Sequence, residues 1–319
     1  MDARRFSSLE ICSGAGAQAL GLERAGFDPV MLIDNNEYAC RTINQNRRNW
    51  QVRCEDVLDF DPADHPETYD VDLLSGGLPR VRSAAAVRRA EDETERKLLR
   101  AAIWLATAVR PKALLLENVP DLVEKDEYAE DRSWIEDELA HAGYRPSWKV
   151  LNAADFGVPQ NRRSGFLVAL AASHHTDFVW PEPGGRAVVT VGETLGDSMA
   201  IRGWPGAALW AERADRPAPA LIGGSARRGG ADLGPTGSKR AWATIGIDGT
   251  NLADDFPAAD FPVDGIPRLS VHQAAMIQSI PEDWIIYGRK TAAYRQIGHA
   301  MPPPLATAVG RAIAGALAS

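Results

Sequence analysis

The chain predicts an α/β fold: a parallel sheet with helices on both faces. Two observations carry that expectation. Short apolar runs alternate with helical stretches through the first half of the 319 residues, and 45% of the residues are hydrophobic, enough for a sizeable core. From about residue 181 to 265 the texture changes to Gly, Pro and Ala with isolated Trp, which predicts a smaller, loop-rich second region.

Taken in order, SSLEIC reads as a strand and GAQALGLERAGF as the helix after it. PVMLID and EYACRTINQNRR repeat the unit, VRCEDV adds a short strand, VDLLSGG leads to ERKLLRAAIWLATAVR, and ALLLENV leads to SWIEDELAHAG. The tail, VHQAAMIQSIP and TAAYRQIGHAMPPPLATAVGRAIAGALA, returns to helix, with the triple proline as the entry signal of the last one. Ligands of such sheets sit at the carboxyl ends of the strands.

Composition narrows the function. With 35 Lys and Arg against 43 Asp and Glu, the net charge of −8 gives no global field for a polyanion. Basic residues cluster locally at 80–100 and 226–242, either as a nucleic-acid contact or as a solvated face. Three cysteines without a CxxC pair or a matching His cluster argue against a disulfide framework and against a metal site. No apolar run is long enough to cross a membrane and the start lacks a signal-peptide core, so a cytoplasmic protein is expected.

The first three strand ends predict a nucleoside ligand. LEICSGAGAQALG places Gly14 and Gly16 where a bend enters a helix, either a plain tight turn or a cradle of backbone N–H groups. Asp34 ends the second strand, where an acid can bridge ribose hydroxyls, and the third strand, VRCEDV, ends in Asp56, positioned to accept from an adenine amine. The loop is not a Walker loop, and the dinucleotide pattern is incomplete because its third glycine is displaced.

The order of motifs resembles the DNA cytosine-5 methyltransferase family across nearly the whole chain. The matching stretches are SGAGAQALGLERAGF, LIDNNEYAC, EDV, DLLSGGLP, LENVPDL, LNAADFGVPQNRR, RLSVHQAAMIQSIPEDW and AAYRQIGHAMPPPLATAVG, and GGADLGPTGSKRAWATIGIDG is similar to restriction-type members. The resemblance implies a Rossmann-like S-adenosylmethionine-dependent methyltransferase fold over 1–180 plus 286–319, and a target recognition domain over 181–285. It implies S-adenosylmethionine contacts at Cys12, Ser13, Gly14, Gly16, Asp34, Asn35, Asp56, Val57, Pro79, His299 and Met301, and double-stranded DNA as the partner.

One position breaks the resemblance. Carbon 5 of cytosine is a poor nucleophile, so the family's chemistry needs a cysteine thiolate that adds to carbon 6, and that cysteine belongs in a Gly-Gly-x-Pro-Cys loop. In SGGLPRVRS the position is Arg80, whose guanidinium stays protonated and has no lone pair for attack. Glu117, Gln160 and Arg162 match the family's base-holding positions, whereas the second arginine of Gln-x-Arg-x-Arg is Ser164. An aromatic position is Cys12, and the usual Gly-Asn of the last motif is Gly298-His299.

The resemblance places Arg80, Arg82, Arg88 and Arg89 in a mobile loop that would face phosphates on closing, and Arg227, Arg228, Lys239 and Arg240 on the recognition domain. In the free protein the loop arginines could instead pair with Glu91, Asp92, Glu93 and Glu95. Three readings stand. The first is an active cytosine methyltransferase with a relocated nucleophile, Cys12 being the better candidate and His299 a candidate base. The second is a pseudoenzyme that keeps cofactor and modest DNA binding, with a protein partner as a further candidate. The third methylates a different nucleophile, an amine or hydroxyl. The second fits most observations, because it needs only retained binding surfaces.

Overall fold

A run of alternating strands and helices opens the chain. It comprises β1 (Phe6–Ile11), α1 (Ala17–Arg24), β2 (Phe27–Asp34), α2 (Glu37–Asn46), β3 (Val52–Cys54), β4 (Leu73–Gly77), α3 (Thr94–Val109), β5 (Ala113–Asn118), α4 (Pro120–Glu124), α5 (Ala129–His141) and β6 (Tyr144–Asn152). Then come β7 (Gln160–Asn161), β8 (Arg163–Ala171), α6 (Val191–Ala200), α7 (Ala207–Arg213), β9 (Ala218–Pro219), α8 (Thr236–Ala243), α9 (Val271–Ile277), α10 (Lys290–His299) and α11 (Pro303–Ala318). This computed structural model describes residues 4–81, 94–174, 177–185, 187–224 and 230–319.

The chain forms two units: Met1–Leu151 with Arg163–Glu182 and Ala306–Ser319, and Asn152–Arg162 with Pro183–Leu305. The first unit holds a seven-stranded sheet of order β3-β2-β1-β4-β5-β8-β6. Strands β3, β2, β1, β4 and β5 are parallel, as alternating strands and helices require. Strand β8 departs from the expected parallel sheet and runs antiparallel to β5. The segment between β6 and β8 contains no crossover α-helix, and without a crossover the chain cannot return in the parallel sense.

Alternate strand residues serve opposite faces. Leu9, Ile11, Met31, Ile33, Leu74, Leu114 and Leu116 join one buried cluster with Leu99, Ile103 and Leu105 of α3 and Ile135 and Leu139 of α5. On the other face α1 and α11 meet closely, with the Thr307 hydroxyl donating to the Gly21 carbonyl at 2.9 Å. Helices therefore cover both faces. The strand order reverses between β1 and β4, which makes their carboxyl ends the switch point where ligands bind in this architecture.

In the second unit the scattered tryptophans of the loop-rich stretch prove to be its core. Trp204, Trp210 and Trp242 are buried with Leu195, Met199, Leu233 and Ile247. The indoles of Trp204 and Trp210 donate to the carbonyls of Pro262 and Gly246, at 2.9 and 2.8 Å. Capping boxes at Thr190/Glu193 and Ser270/Gln273 start α6 and α9, written in the sequence as TVGE and SVHQ.

Among the described residues no helix is long and apolar enough to cross a membrane, and no cluster of His, Cys, Asp or Glu could hold a metal ion.

Candidate functional site

The turn after β1 puts Cys12, Gly14 and Gly16 in the left-handed region, with φ of 49°, 53° and 77°. Only glycine adopts that conformation without strain, which accounts for two of the three. A side chain at Gly14 would meet nothing within 4 Å, so open space lies against this backbone. Helix α1 starts at Gly16, which offers no side-chain cap, and the Ala19 N–H of its first turn is directed at the Glu10 carboxyl.

Asp34, ending β2, closes over the turn. Its carboxylate accepts from the backbone N–H of Gly14 and of Asn36, each at 2.8 Å. Each oxygen keeps a second lone pair for a hydroxyl donor. Burial, with the charge of Asp56 adding, holds the Asp34 carboxyl above its ordinary value despite those two bonds. Asp56 lies two residues beyond β3, which ends earlier than VRCEDV suggests. It accepts from the Asn35 side-chain amide and from the backbone N–H of Leu58, both at 3.0 Å. Val57 beside it is buried. The structure thus brings Cys12, Ser13, Gly14, Gly16, Asp34, Asn35, Asp56 and Val57 to adjoining strand ends.

The Cys12 thiol is half-buried among acids. Burial, then the charges of Asp34, Asp56 and Glu10, push it up to about 12, so it stays protonated at neutral pH.

Sequence reasoning missed Glu10 and Gln18. Glu10 is 1% exposed within β1 and accepts from the Ser75 hydroxyl of β4 at 3.2 Å. Burial pushes its carboxyl up to about 8. Gln18, beside it, and Ser13 are also buried. Ser13 Oγ finds no hydrogen-bond partner among the described residues, while the Gln18 amide and the Ala19 N–H face the Glu10 carboxyl. An acid inside an otherwise apolar strand, the E of SSLEIC, was the signal available.

The turn after β4 is clamped from its backbone. Asn118 at the end of β5 donates to the Pro79 carbonyl and accepts from the Val81 N–H, both at 3.1 Å. The Tyr128 hydroxyl donates to the Val81 carbonyl at 3.3 Å. Val81 is buried while Pro79 and Arg80 are exposed, so the clamp holds the turn with Arg80 outermost. Glu117 stands in register with Gly77. A side chain at Gly77 would lie 3.7 Å from Gln18 Oε1 and 3.8 Å from Glu117 Oε2, so these two polar groups border one space. Ser164 on β8 donates to Glu117 Oε1 at 2.6 Å. The serine that replaces an expected arginine therefore engages the same acid.

The remaining positions belong to the second unit. Gln160 is fully buried, donating to Gln278 Oε1 at 2.6 Å and accepting from the Leu221 N–H at 2.8 Å. Arg162 donates to the carbonyls of Leu221 and Gly298, at 3.2 and 3.1 Å. Both residues thus tie the unit's own backbone together. Gly298 must be glycine, since a Cβ there would meet the Gly223 nitrogen at 2.4 Å. His299 Nε2 bonds the Gly224 carbonyl at 2.7 Å, which makes that nitrogen a donor, and Met301 is buried. Of the expected DNA contacts, Lys239 pairs with Asp232 at 3.0 Å and Arg240 is exposed on α8. Arg82, Arg88, Arg89, Arg227 and Arg228 lie outside the described residues.

Comparison with known proteins gives a consistent picture. The family described as C-5 cytosine-specific DNA methylase matches residues 6–315. The Type II methyltransferase M.NaeI of Lentzea aerocolonigenes is 43% identical over 310 residues, covering 97% of this chain and 75% of that protein. M.NgoMIV of Neisseria gonorrhoeae is 41% identical over 319 residues, covering 98% of each. Among solved structures, a variant of Spodoptera frugiperda DNMT2 superposes with a TM-score of 0.66 at 13% identity, over 97% of this chain and 99% of that one.

Proposed function

This chain belongs to the C-5 cytosine-specific DNA methylase family, and from that premise we propose that it binds S-adenosylmethionine and duplex DNA but lacks the nucleophile for cytosine methylation. It then works as a regulator or partner subunit rather than as the methylating enzyme. The observation that carries this reading is Arg80, exposed on the clamped turn at the family's thiolate position. A protonated guanidinium cannot add to carbon 6 of cytosine. Cys12 is no substitute, because a thiol held at about 12 is almost wholly protonated at neutral pH.

The family's cofactor is S-adenosylmethionine, and the residues present fit it. Open space beside Gly14, carboxylates at Asp34 and Asp56 and the orphaned hydroxyl of Ser13 make a donor and acceptor set suited to a nucleoside carrying an amino acid. Asp34 and Asn36 fix the β2 end, while Asn35 holds Asp56 in place. When bound, the cofactor supplies an electrophilic methyl group. We assign DNA contact to the recognition segment 181–285, with Arg227, Arg228, Lys239 and Arg240, and to Arg82, Arg88 and Arg89. Glu117 is the group that holds the base, its Oε1 engaged by Ser164.

The relatives are named Type II methyltransferases, which favours the alternative of an active enzyme with a displaced nucleophile. Calorimetry with S-adenosylmethionine followed by a labelled-methyl assay on genomic DNA separates the two. Cofactor binding without methyl incorporation is the result expected here, and incorporation would establish the alternative.

A further inference from the structure

Two of the three cysteines converge on one residue of the cofactor site. The Cys40 thiol of α2 donates to the Asp34 carbonyl, with sulfur 3.2 Å from oxygen. In the β2–β3 pairing the register partner of Asp34 is Cys54. Helix α2 packs directly on β3, and the Cys54 thiol lies within hydrogen-bonding reach of the Cys40 thiol beside the end of β2. Their environments differ: Cys40 is 4% exposed, whereas Cys54 is open to solvent. Burial first, and then Cys54 facing it, push the Cys40 thiol well above its ordinary value. The exposed sulfur is therefore the one an oxidant reaches, and the buried one is the resolving partner.

We propose that Cys40 and Cys54 form an oxidation site at which a peroxide closes an intrachain disulfide, tying α2 to β3 under Asp34. The Cys54 thiolate attacks one peroxide oxygen, the O–O bond breaks, the departing hydroxide takes a proton as water, and Cys54 is left as a sulfenic acid. The proton that hydroxide takes comes from the Cys40 thiol, and the Cys40 thiolate so formed displaces the sulfenic hydroxyl, which leaves as hydroxide and takes up the proton that Cys54 gave to solvent. Two thiols and one hydrogen peroxide thus yield one disulfide and two waters. Closure removes the S–H donor from the Asp34 carbonyl and draws on the strand end whose carboxylate holds Gly14 and Asn36. Affinity for S-adenosylmethionine then falls; this consequence, unlike the disulfide, rests on the cofactor reading above.

The test uses the full chain treated with equimolar hydrogen peroxide, alkylated and mapped by peptide mass spectrometry. A peptide linked between Cys40 and Cys54, absent after dithiothreitol and absent from Cys54→Ser, is expected, with Cys12 alkylated. Free thiols at both positions, or Cys54 carried to sulfinic acid without a link, would overturn the proposal. Because the mapping is read on the unaltered protein, it does not depend on the variant folding. Oxidised protein should bind S-adenosylmethionine about tenfold more weakly than the same sample after reduction, the scale of one lost hydrogen-bonded contact. Equal affinities in a linked sample would overturn the regulatory consequence. A reduced sample that binds no cofactor would sink the cofactor reading instead, leaving the mapped disulfide as support for the oxidation site.

Discussion

The carboxyl ends of β1, β2 and β3 and the carboxyl end of β4 adjoin in one sheet, yet they retain different things. At the first three, a left-handed glycine turn, two carboxylates and a bridging asparagine are joined by short hydrogen bonds. At the fourth, the backbone is held as carefully, by Asn118 and Tyr128, but the side chain it holds out is an arginine. The clamp bonds only main-chain atoms of Pro79 and Val81, so it places no demand on the side chain at position 80. On the proposed reading, cofactor binding and catalysis are separable in this fold, because that reading assigns them to different strand ends.

The largest effect should come from restoring the missing chemistry. Arg80→Cys supplies a thiol on the clamped turn, but on the proposed reading Ser164, which donates to Glu117 Oε1, leaves the base without its second arginine contact. In a labelled-methyl assay the single variant should incorporate little, and Arg80→Cys with Ser164→Arg about a hundredfold more, the scale at which misplacement costs rate. Equal activity in the two would show that Ser164 has no part in orienting the base.

A second effect sharpens the cofactor end. The Glu10 carboxyl, raised to about 8 in the fold, binds a proton that the unfolded chain releases near its ordinary 4.5. The folded state therefore holds more protons across that window, and stability must fall as pH rises from about 4.5 to about 8. Glu10→Gln should remove that slope, gaining on the order of a few kcal/mol over the unaltered protein by pH 8 in denaturant unfolding. Parallel curves would mean that Glu10 is charged and solvated.

Asp56→Ala should weaken S-adenosylmethionine binding by about 1 to 3 kcal/mol in calorimetry, the cost of an unmatched polar contact. The same substitution should leave DNA affinity unchanged, and a loss of both would erase the separation between the two ends. The smallest effect is expected at the surface. Arg240→Glu should reduce the salt dependence of DNA binding by about one phosphate's worth and be hard to detect at physiological salt. A variant with the full salt slope would make Arg240 a solvated face.

How much of this was legible in the chain differs between these same regions. Alternating apolar runs gave away β1, β2, β4 and β5 because buried parallel strands need nearly continuous hydrophobic residues. Asp34 and Asp56 were readable because each sits at or just past a strand end. The antiparallel β8 was not, since a strand's direction depends on the connection before it and not on its own residues. The Asn118 clamp joins atoms 37 and 39 positions apart, which no local pattern encodes. Gln160 and Arg162 matched catalytic positions by motif, yet their partners are distant backbone groups at Leu221 and Gly298, visible only in the folded chain. Glu10 was overlooked because one acid in a strand reads as a solvent-facing residue until the helix that covers it is known.

The central claim, that no thiolate of this protein reaches carbon 6 of cytosine, is tested most directly by covalent trapping on duplex DNA carrying 5-fluorocytosine in the presence of S-adenosylmethionine. A stable adduct forms only when a thiolate adds to the ring. The unaltered protein should bind the DNA and give no adduct on a denaturing gel. An adduct that forms with the unaltered protein and disappears in Cys12→Ser would contradict the account and make the chain an active methyltransferase with its nucleophile moved to the end of β1.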